Sequence, residues 1–176
     1  MNDTELERLF KAYHVPLVRY LTRRLGDRDW AEEVAQETFL RALRQTNLTN
    51  ERAWLFAVAT NLVRDDARKE DRRRQRLRLL AEETRDVQVE SAETALERAQ
   101  DAALARKAMD GLVERDRLAL LMREEGLNYE EIAEALGLSL GSIGTTLARA
   151  RRRLVESYEA MQRDTQRGVG GGHAAS

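Results

Sequence analysis

The stretch LNYEEIAEALGLSLGSI, residues 127–143, decides the fold of this chain. Asn128 stands three residues before Glu131, the spacing of a capping box, so a short helix is predicted to begin there. Gly137 ends that helix, since glycine tolerates the left-handed backbone of a helix C-terminus. After a short turn, Ile143 belongs to the apolar row of a second helix. Two short helices joined in this way predict a helix-turn-helix, whose second helix fits the DNA major groove; an ordinary helical hairpin is the alternative.

The predicted second helix is polar on the face opposite its apolar row. Ser142, Thr145 and Thr146 lie early enough in it to approach base edges. Arginines nearer its C-terminal end can contact phosphates: Arg149, Arg151, Arg152 and Arg153. Two or three base contacts of about 1–3 kcal/mol each discriminate DNA sites weakly. Such a reader therefore needs a partner that holds it near DNA and a second reader on the same chain.

The composition is typical of a helix-rich chain. Its 176 residues are 42% apolar and 35% charged, with ten Gly and one Pro. Apolar residues recur at intervals of three and four, and no period-two strand pattern is found, so we predict an all-α fold. The absence of Cys excludes disulfides and thiolate sites, and His14 and His173 are too far apart to suggest a metal pair. We expect no metal and no cofactor.

The chain carries no recognisable catalytic or targeting motif. It has no Gly-rich phosphate loop, no metal-binding carboxylate motif and no Ser/His/Asp constellation, so we expect that it is not an enzyme. The acidic start and the lack of a long apolar run lead us to expect a cytoplasmic protein without membrane insertion.

The net charge of −1 hides a segregation of charge along the chain. Residues 50–80 hold nine basic and five acidic side chains, whereas residues 81–104 hold two basic and seven acidic ones. A basic run favours a polyanion, although a solvated helix face is the alternative. We predict two small helical domains joined by a flexible acidic linker: a first domain at residues 1–80, a linker at 81–100, a second domain containing the helix-turn-helix at 101–162, and a flexible tail at 163–176.

Three helices are predicted in the first domain. The first has the apolar stripe Leu6, Phe10, Tyr13, Leu17 and Leu21, and Pro16 marks a kink or a break. The second begins at the cap Asp29, three residues before Glu32, and runs to about Gln45. The third has the apolar row Trp54, Val58 and Leu62 and leads into the basic run, residues 68–78.

From about Leu6 to Leu154 the chain resembles a bacterial extracytoplasmic-function (ECF) sigma factor of the sigma-70 family. Residues 31–42, AEEVAQETFLRA, are similar to the family's helix that docks on the clamp coiled coil of core RNA polymerase. The alternative, an amphipathic core helix, does not require polar residues on the outer face. The resemblance implies polymerase contacts at Glu33, Gln36, Glu37, Phe39 and Arg41.

Residues 54–69 resemble the family's strand-opening segment, which reads the minus-ten element. Asn61, Arg64, Asp65 and Arg68 recur at intervals of three and four and so share one helix face. Such a face can contact exposed bases while the basic run holds phosphates. Trp54 and Phe56 are predicted to be core residues, with a role as stacking platforms for bases as the alternative. The resemblance implies minus-ten contacts at Asn61, Arg64, Asp65, Arg68, Lys69, Arg72 and Arg73.

Residues 127–143 resemble the family's minus-35 helix-turn-helix, but the chain departs from the family pattern just after them. Gly144-Thr145-Thr146 stands where members usually carry basic residues, so we infer altered or weaker minus-35 recognition. Gly144 also costs roughly 1 kcal/mol of helix propensity relative to Ala. The implied minus-35 contacts are Ser142, Thr145, Thr146, Arg149 and Arg152.

The resemblance implies a sigma factor that binds core RNA polymerase and directs initiation at promoter DNA. We further hypothesise that an anti-sigma protein clamps the two domains. Two other functions compete with this reading. One is a conventional helix-turn-helix repressor or activator, which would bind its operator tightly without polymerase. The other is a helical adaptor that binds only proteins, for which Arg149 and Arg152 would be dispensable.

Overall fold

The computed structural model describes residues 1–66 and 92–170, and within these ranges all regular structure is helical. This confirms the all-α prediction. The described helices are α1 (Asp3–Leu25), α2 (Arg28–Ala42), α3 (Glu51–Asp65), α4 (Ala92–Asp110), α5 (Glu114–Glu124), α6 (Tyr129–Leu136) and α7 (Leu140–Gly170).

Helix α1 is capped at both ends and continues through Pro16 without a break. The Asn2 side chain accepts a hydrogen bond of 2.8 Å from the Glu5 amide, and Gly26 ends the helix with φ of 70°. The predicted stripe is only partly buried. Leu17 and Leu21 lie in the core, whereas Phe10 is exposed and Leu6 and Tyr13 are half-buried.

Helix α2 is capped by Asp27, so the prediction that Asp29 caps it was wrong. The Asp27 carboxylate accepts a hydrogen bond of 3.1 Å from the Trp30 amide. Because Gly26 ends α1, Asp27 is the first extended residue, and the new helix begins directly after it. The helix ends at Ala42, earlier than the predicted Gln45. The sequence also predicts two inward rows on this helix, and they are buried except for Leu43, which follows the last helical residue: Trp30, Val34, Thr38 and Ala42 in one row, and Ala31, Ala35, Phe39 and Leu43 in the next.

Helices α1, α2 and α3 pack against one another around buried side chains. The rings of Tyr20 and Phe56 lie 5.0 Å apart, and the Tyr20 hydroxyl forms a 2.7 Å hydrogen bond with the Thr60 hydroxyl. Phe56 is therefore a core residue, as predicted. Trp54 is only half-buried, as are Val58 and Leu62, because α3 turns a different row inward: Ala53, Leu55, Phe56, Ala59, Thr60 and Val63.

The predicted linker and tail are partly helical. Residues 92–100, expected to belong to the linker, form the first half of α4, whereas residues 81–91 lie outside the described residues. Residues 163–170, expected to belong to the tail, continue α7, and 171–176 lie outside the described residues. Extending an existing helix adds one hydrogen bond for each residue fixed, so a polar sequence can continue it without burying an apolar face.

The helix-turn-helix is present at the predicted position. Asn128 and Glu131 form the capping box at the start of α6, with hydrogen bonds of 2.8 and 3.0 Å. Gly137 ends α6 in the left-handed conformation at φ of 66°, and α7 begins at Leu140. Ile143 is fully buried, as its place in the apolar row predicts, and so are Ile132 in α6 and Leu147 in α7.

The described chain forms two compact units. One comprises residues 1–66 together with Leu121–Gly144, and it includes the packing of α6 against α3. The other comprises residues 92–120 together with residues 145–170. These units differ from the division at residues 81–100 expected from charge and composition, because residues 121–144 contact α1 and α3: α6 packs against α3, and Arg19 of α1 binds Glu125.

Candidate functional site

An apolar groove of about 380 Å³ runs between α1 and α2. Phe10 and Leu40 stand 44% and 52% exposed beside it. The Phe10 ring stacks on His14 at 4.2 Å and lies 5.1 Å from the ring of Phe39. His14 Nε2 is 3.1 Å from a carboxylate oxygen of Glu32. The lining residues are Leu6, Phe10, His14, Glu32, Glu33, Gln36, Phe39, Leu40 and Leu43.

The residues expected to contact polymerase lie at or near this groove. Glu33, Gln36, Glu37 and Arg41 are exposed, and Arg41 Nε donates a hydrogen bond of 3.0 Å to Glu37. Phe39 differs from them because it is only 5% exposed and forms part of the groove wall. Sequence reasoning missed the exposed apolar residues beside them, since it assigned Phe10 to the core stripe and gave Leu40 no role.

The polar face predicted on α3 is present as far as the structure describes it. Asn61, Arg64 and Asp65 are all exposed. Arg64 Nη1 donates a hydrogen bond of 3.4 Å to the Asn61 side-chain oxygen. The other residues expected to contact the minus-ten element lie outside the described residues: Arg68, Lys69, Arg72 and Arg73.

Helix α7 presents only part of the expected minus-35 surface. Thr145 and Arg152 are exposed. Ser142 is half-buried, and its hydroxyl donates a hydrogen bond of 2.8 Å to the Ser139 carbonyl. Thr146 is 4% exposed and lies in the core, so our prediction that it faces DNA was wrong. The prediction failed because Thr146 lies three residues after Ile143 and so shares the buried side of the helix.

Arg149 was also expected to face DNA, but its guanidinium is bound to Asp116 on α5. Its Nη2 and Nε donate hydrogen bonds of 2.8 and 3.1 Å to the two Asp116 carboxylate oxygens. Asp116 is fully buried, and Arg115 Nε approaches it at 3.4 Å. The hydrogen bond from Arg149 is the main reason that the pKa of Asp116 lies below its usual value. No sequence pattern pointed to this pair, because 33 residues separate its members.

A second ionic cluster joins α1 and α3 to the α5–α6 segment. Arg52 donates two hydrogen bonds of 2.6 Å to the buried carboxylate of Glu131, and Asn50 donates one of 2.7 Å to Glu134. Arg19 Nη2 donates a hydrogen bond of 2.8 Å to Glu125, whose side chain is almost fully buried. Hydrogen bonding from Arg52 lowers the pKa of Glu131. Sequence reasoning did not anticipate this cluster.

The described residues show neither a metal site nor a membrane-spanning helix. In the part of the chain that the structure describes, no group of three or more His, Asp or Glu side chains is arranged to hold a metal ion. Among the same residues, every helix is too short or too polar to cross a bilayer.

Two family models match the chain, one over its N-terminal part and one over its C-terminal part. Sigma-70 region 2 matches residues 9–73, which include the polar face of α3 and all the groove residues except Leu6. Sigma-70 region 4 matches residues 102–154, which include Asp116 and the helix-turn-helix.

Similar proteins extend over most of the chain. The RNA polymerase sigma factor YlaC of Bacillus subtilis is 32% identical, over 85% of this chain and 89% of the relative. The ECF RNA polymerase sigma factor EcfG of Rhodopseudomonas palustris is 36% identical, over 73% of this chain and 71% of the relative. The fold is similar to that of the sigma factor RpoE from Bartonella quintana, solved in complex with the anti-sigma factor NepR. Its TM-score is 0.56 and its identity 24%, over 89% of this chain and 95% of the other. The chain therefore belongs to the ECF sigma factors of the sigma-70 family, and it directs promoter-specific initiation of transcription by RNA polymerase.

Proposed function

We propose that the groove between α1 and α2 is the surface through which this sigma factor binds core RNA polymerase. The observation that carries the proposal is an apolar groove with Phe10 and Leu40 half-exposed at its edge. Exposed apolar patches rimmed by polar residues are typical of protein-binding sites. Glu33 and Gln36 also line the groove and supply polar contacts that fix the orientation of the partner. Glu37 and Arg41 lie exposed on the same helix.

The exposed face of α3 is proposed to read the opened minus-ten element. Asn61, Arg64 and Asp65 offer donors and acceptors that can pair with the edges of unstacked bases. The proposal extends to Arg68, Lys69, Arg72 and Arg73, whose positive charge suits the phosphates of a single strand.

The minus-35 element is proposed to be read by the exposed face of α7. Ser142 and Thr145 lie near its start, where side chains approach base edges, and Arg152 follows at a position suited to a phosphate. Because it has few polar groups, this face discriminates only modestly between DNA sequences. Promoter choice therefore depends on polymerase holding both the α3 face and the α7 face near DNA. In functional terms the minus-ten region is assigned to residues 1–80 and the minus-35 region to residues 101–162, with 81–100 between them.

Three further assignments complete the proposal. The chain has no catalytic centre of its own, because polymerase performs the nucleotidyl transfer, and no cofactor is needed. Its place of action is the cytoplasm, where polymerase meets the chromosome. An anti-sigma protein regulates it; the crystallisation of a structurally similar sigma factor with an anti-sigma factor supports this assignment.

Transcription in vitro tests the proposal. The purified chain is mixed with core polymerase and a genomic library, and start sites are mapped. We expect start sites that share one minus-ten and one minus-35 motif. A chain that binds its DNA tightly and specifically in a gel shift without polymerase would instead support a conventional repressor or activator.

A pair of matched variants tests the groove itself. Leu40→Glu places a charge at the groove, whereas Leu96→Glu places one on the exposed surface of α4. We expect Leu40→Glu to abolish the binding of core polymerase and Leu96→Glu to leave it intact. Equal binding by both variants would exclude the groove as the polymerase site.

A further inference from the structure

Under the proposed function, α7 turns one surface toward DNA. Arg149 lies in the middle of that surface, and its ion pair with Asp116 holds its side chain in place. Arg149 lies four residues after Thr145 and three before Arg152, so the three residues occupy neighbouring positions on one helix face. Thr145 and Arg152 are exposed, but the Arg149 side chain is only 26% exposed. The central residue of the face is therefore turned inward, toward α5.

The hydrogen bonds of Arg149 leave it poorly suited to hold a phosphate. Its Nε and Nη2 atoms bind the two oxygens of Asp116, so one of the two edges through which a guanidinium makes bidentate contacts with anions is already occupied. If Arg149 turned to a phosphate, the contact of 3.4 Å from Arg115 would be the one that the buried Asp116 carboxylate keeps among the residues that the structure describes. A buried charge that loses its partner is strongly destabilising.

We propose that Arg149 is a positioning residue for minus-35 recognition. Bound to Asp116 on α5, it sets the rotation of α7 about its own axis, so that Thr145 and Arg152 face the DNA. The specificity of the reader then depends on Asp116, a buried residue that does not itself touch DNA. This inference rests on the proposed minus-35 role of α7.

The first test compares conservative variants in polymerase-dependent transcription. The templates are a promoter recovered from the genomic library and the same promoter with a scrambled minus-35 element. The readout is the ratio of transcript from the two templates, because a variant that merely folds poorly lowers both yields together. The variants are Arg149→Lys, Asp116→Asn and the control Arg152→Lys.

Lysine keeps the positive charge but cannot form the bidentate contact with Asp116. We expect Arg149→Lys and Asp116→Asn to reduce the ratio by about fivefold or more, the equivalent of one base contact. Arg152→Lys should keep most of the ratio, because lysine also binds phosphates. An unchanged ratio in Arg149→Lys would overturn the proposal.

The second test requires neither polymerase nor a known promoter. The full chain is titrated with one fixed random-sequence duplex at several salt concentrations, and the slope of log affinity against log salt is measured. Removing one phosphate contact reduces that slope by about one. We expect Arg152→Ala to produce this reduction, and we expect Arg149→Ala to change the slope no more than Asp116→Asn does, because both variants break the same ion pair. A reduction of about one in Arg149→Ala that Asp116→Asn does not share would identify Arg149 as a phosphate contact and overturn the proposal.

The two tests separate this inference from the function on which it rests. If the unaltered chain yields no promoter with core polymerase, the proposed function fails, and the salt slopes still decide the role of Arg149. If promoters are recovered but Arg149→Lys behaves like Arg152→Lys, the proposed function stands and the inference fails.

Discussion

Arg52, at the start of α3, donates two hydrogen bonds of 2.6 Å to the carboxylate of Glu131 in α6. Glu131 has a second role, because it also accepts a hydrogen bond of 3.0 Å from the Asn128 amide in the capping box. One carboxylate thus both begins a helix and binds that helix to another. The contact joins a segment proposed to lie next to opened DNA to the first helix of the helix-turn-helix.

The change Glu131→Gln separates these two roles. Glutamine can still accept the capping hydrogen bond, but it removes the charge that pairs with Arg52. We expect the free energy of unfolding to fall by about 1–2 kcal/mol, since a hydrogen bond to a charged group is worth about 1.5–3 kcal/mol and Arg52 is partly exposed. Urea unfolding measures the change. Glu130→Gln, at the exposed preceding residue, is the control, and an equal loss there would refute a specific role for the ion pair.

Acidification should weaken the fold through two carboxylates. The pKa values of Asp116 and Glu131 lie below their ordinary values of 3.8 and 4.5, chiefly because each accepts hydrogen bonds from an arginine. The native state therefore binds fewer protons than the unfolded chain in this range, and stability present at neutral pH is lost as pH falls from about 4.5 through the lowered pKa values. The free energy of unfolding, measured between about pH 6 and 3, should fall less steeply in Glu131→Gln than in the unaltered chain. Parallel curves for the two proteins would contradict the lowered pKa of Glu131.

The helix-turn-helix could be predicted from the sequence because its signals are local. The capping box at Asn128 and the turn at Gly137 each act within a few residues, so the chain needs no tertiary context to place α6 and the start of α7. The same kind of local signal gave a wrong prediction of the helix cap at Asp29. A capping spacing is present there, but Gly26 had already ended α1 and made Asp27 the first available cap.

The ionic contacts could not be predicted, because each depends on residues that only the fold brings together. Arg52 and Glu131 are 79 residues apart, and Arg149 and Asp116 are 33 apart. Hydrophobic periodicity also cannot separate a core from an apolar groove. Phe10 and Leu17 belong to the same predicted stripe, yet Leu17 is buried whereas Phe10 lies exposed beside the groove.

Two glycines of the helix-turn-helix should respond in opposite ways to substitution by alanine. Gly137 has φ of 66° and open space where a Cβ would lie, so Gly137→Ala should cost about 1–2 kcal/mol through backbone conformation alone. Gly144 lies inside α7, and a Cβ there would meet Tyr129 at an ordinary contact distance of 3.6 Å. Gly144→Ala should therefore stabilise the fold by about 0.5–1 kcal/mol. Urea unfolding of the two variants is the measurement, and a shift in the same direction for both would contradict this account.

The half-exposed ring of Phe10 should matter more for binding polymerase than for stability. Fully burying such a side chain is worth about 1.5–3 kcal/mol, so Phe10→Ala, at a residue that remains 44% exposed, should cost about 1 kcal/mol of folding free energy. An aromatic anchor at the centre of an interface contributes about 2 kcal/mol or more, so affinity for core polymerase should fall roughly thirtyfold. Titration of labelled polymerase measures the affinity, with Leu96→Ala as the control on α4. A loss of stability without a loss of affinity would show that Phe10 contributes to the fold and lies outside the polymerase interface.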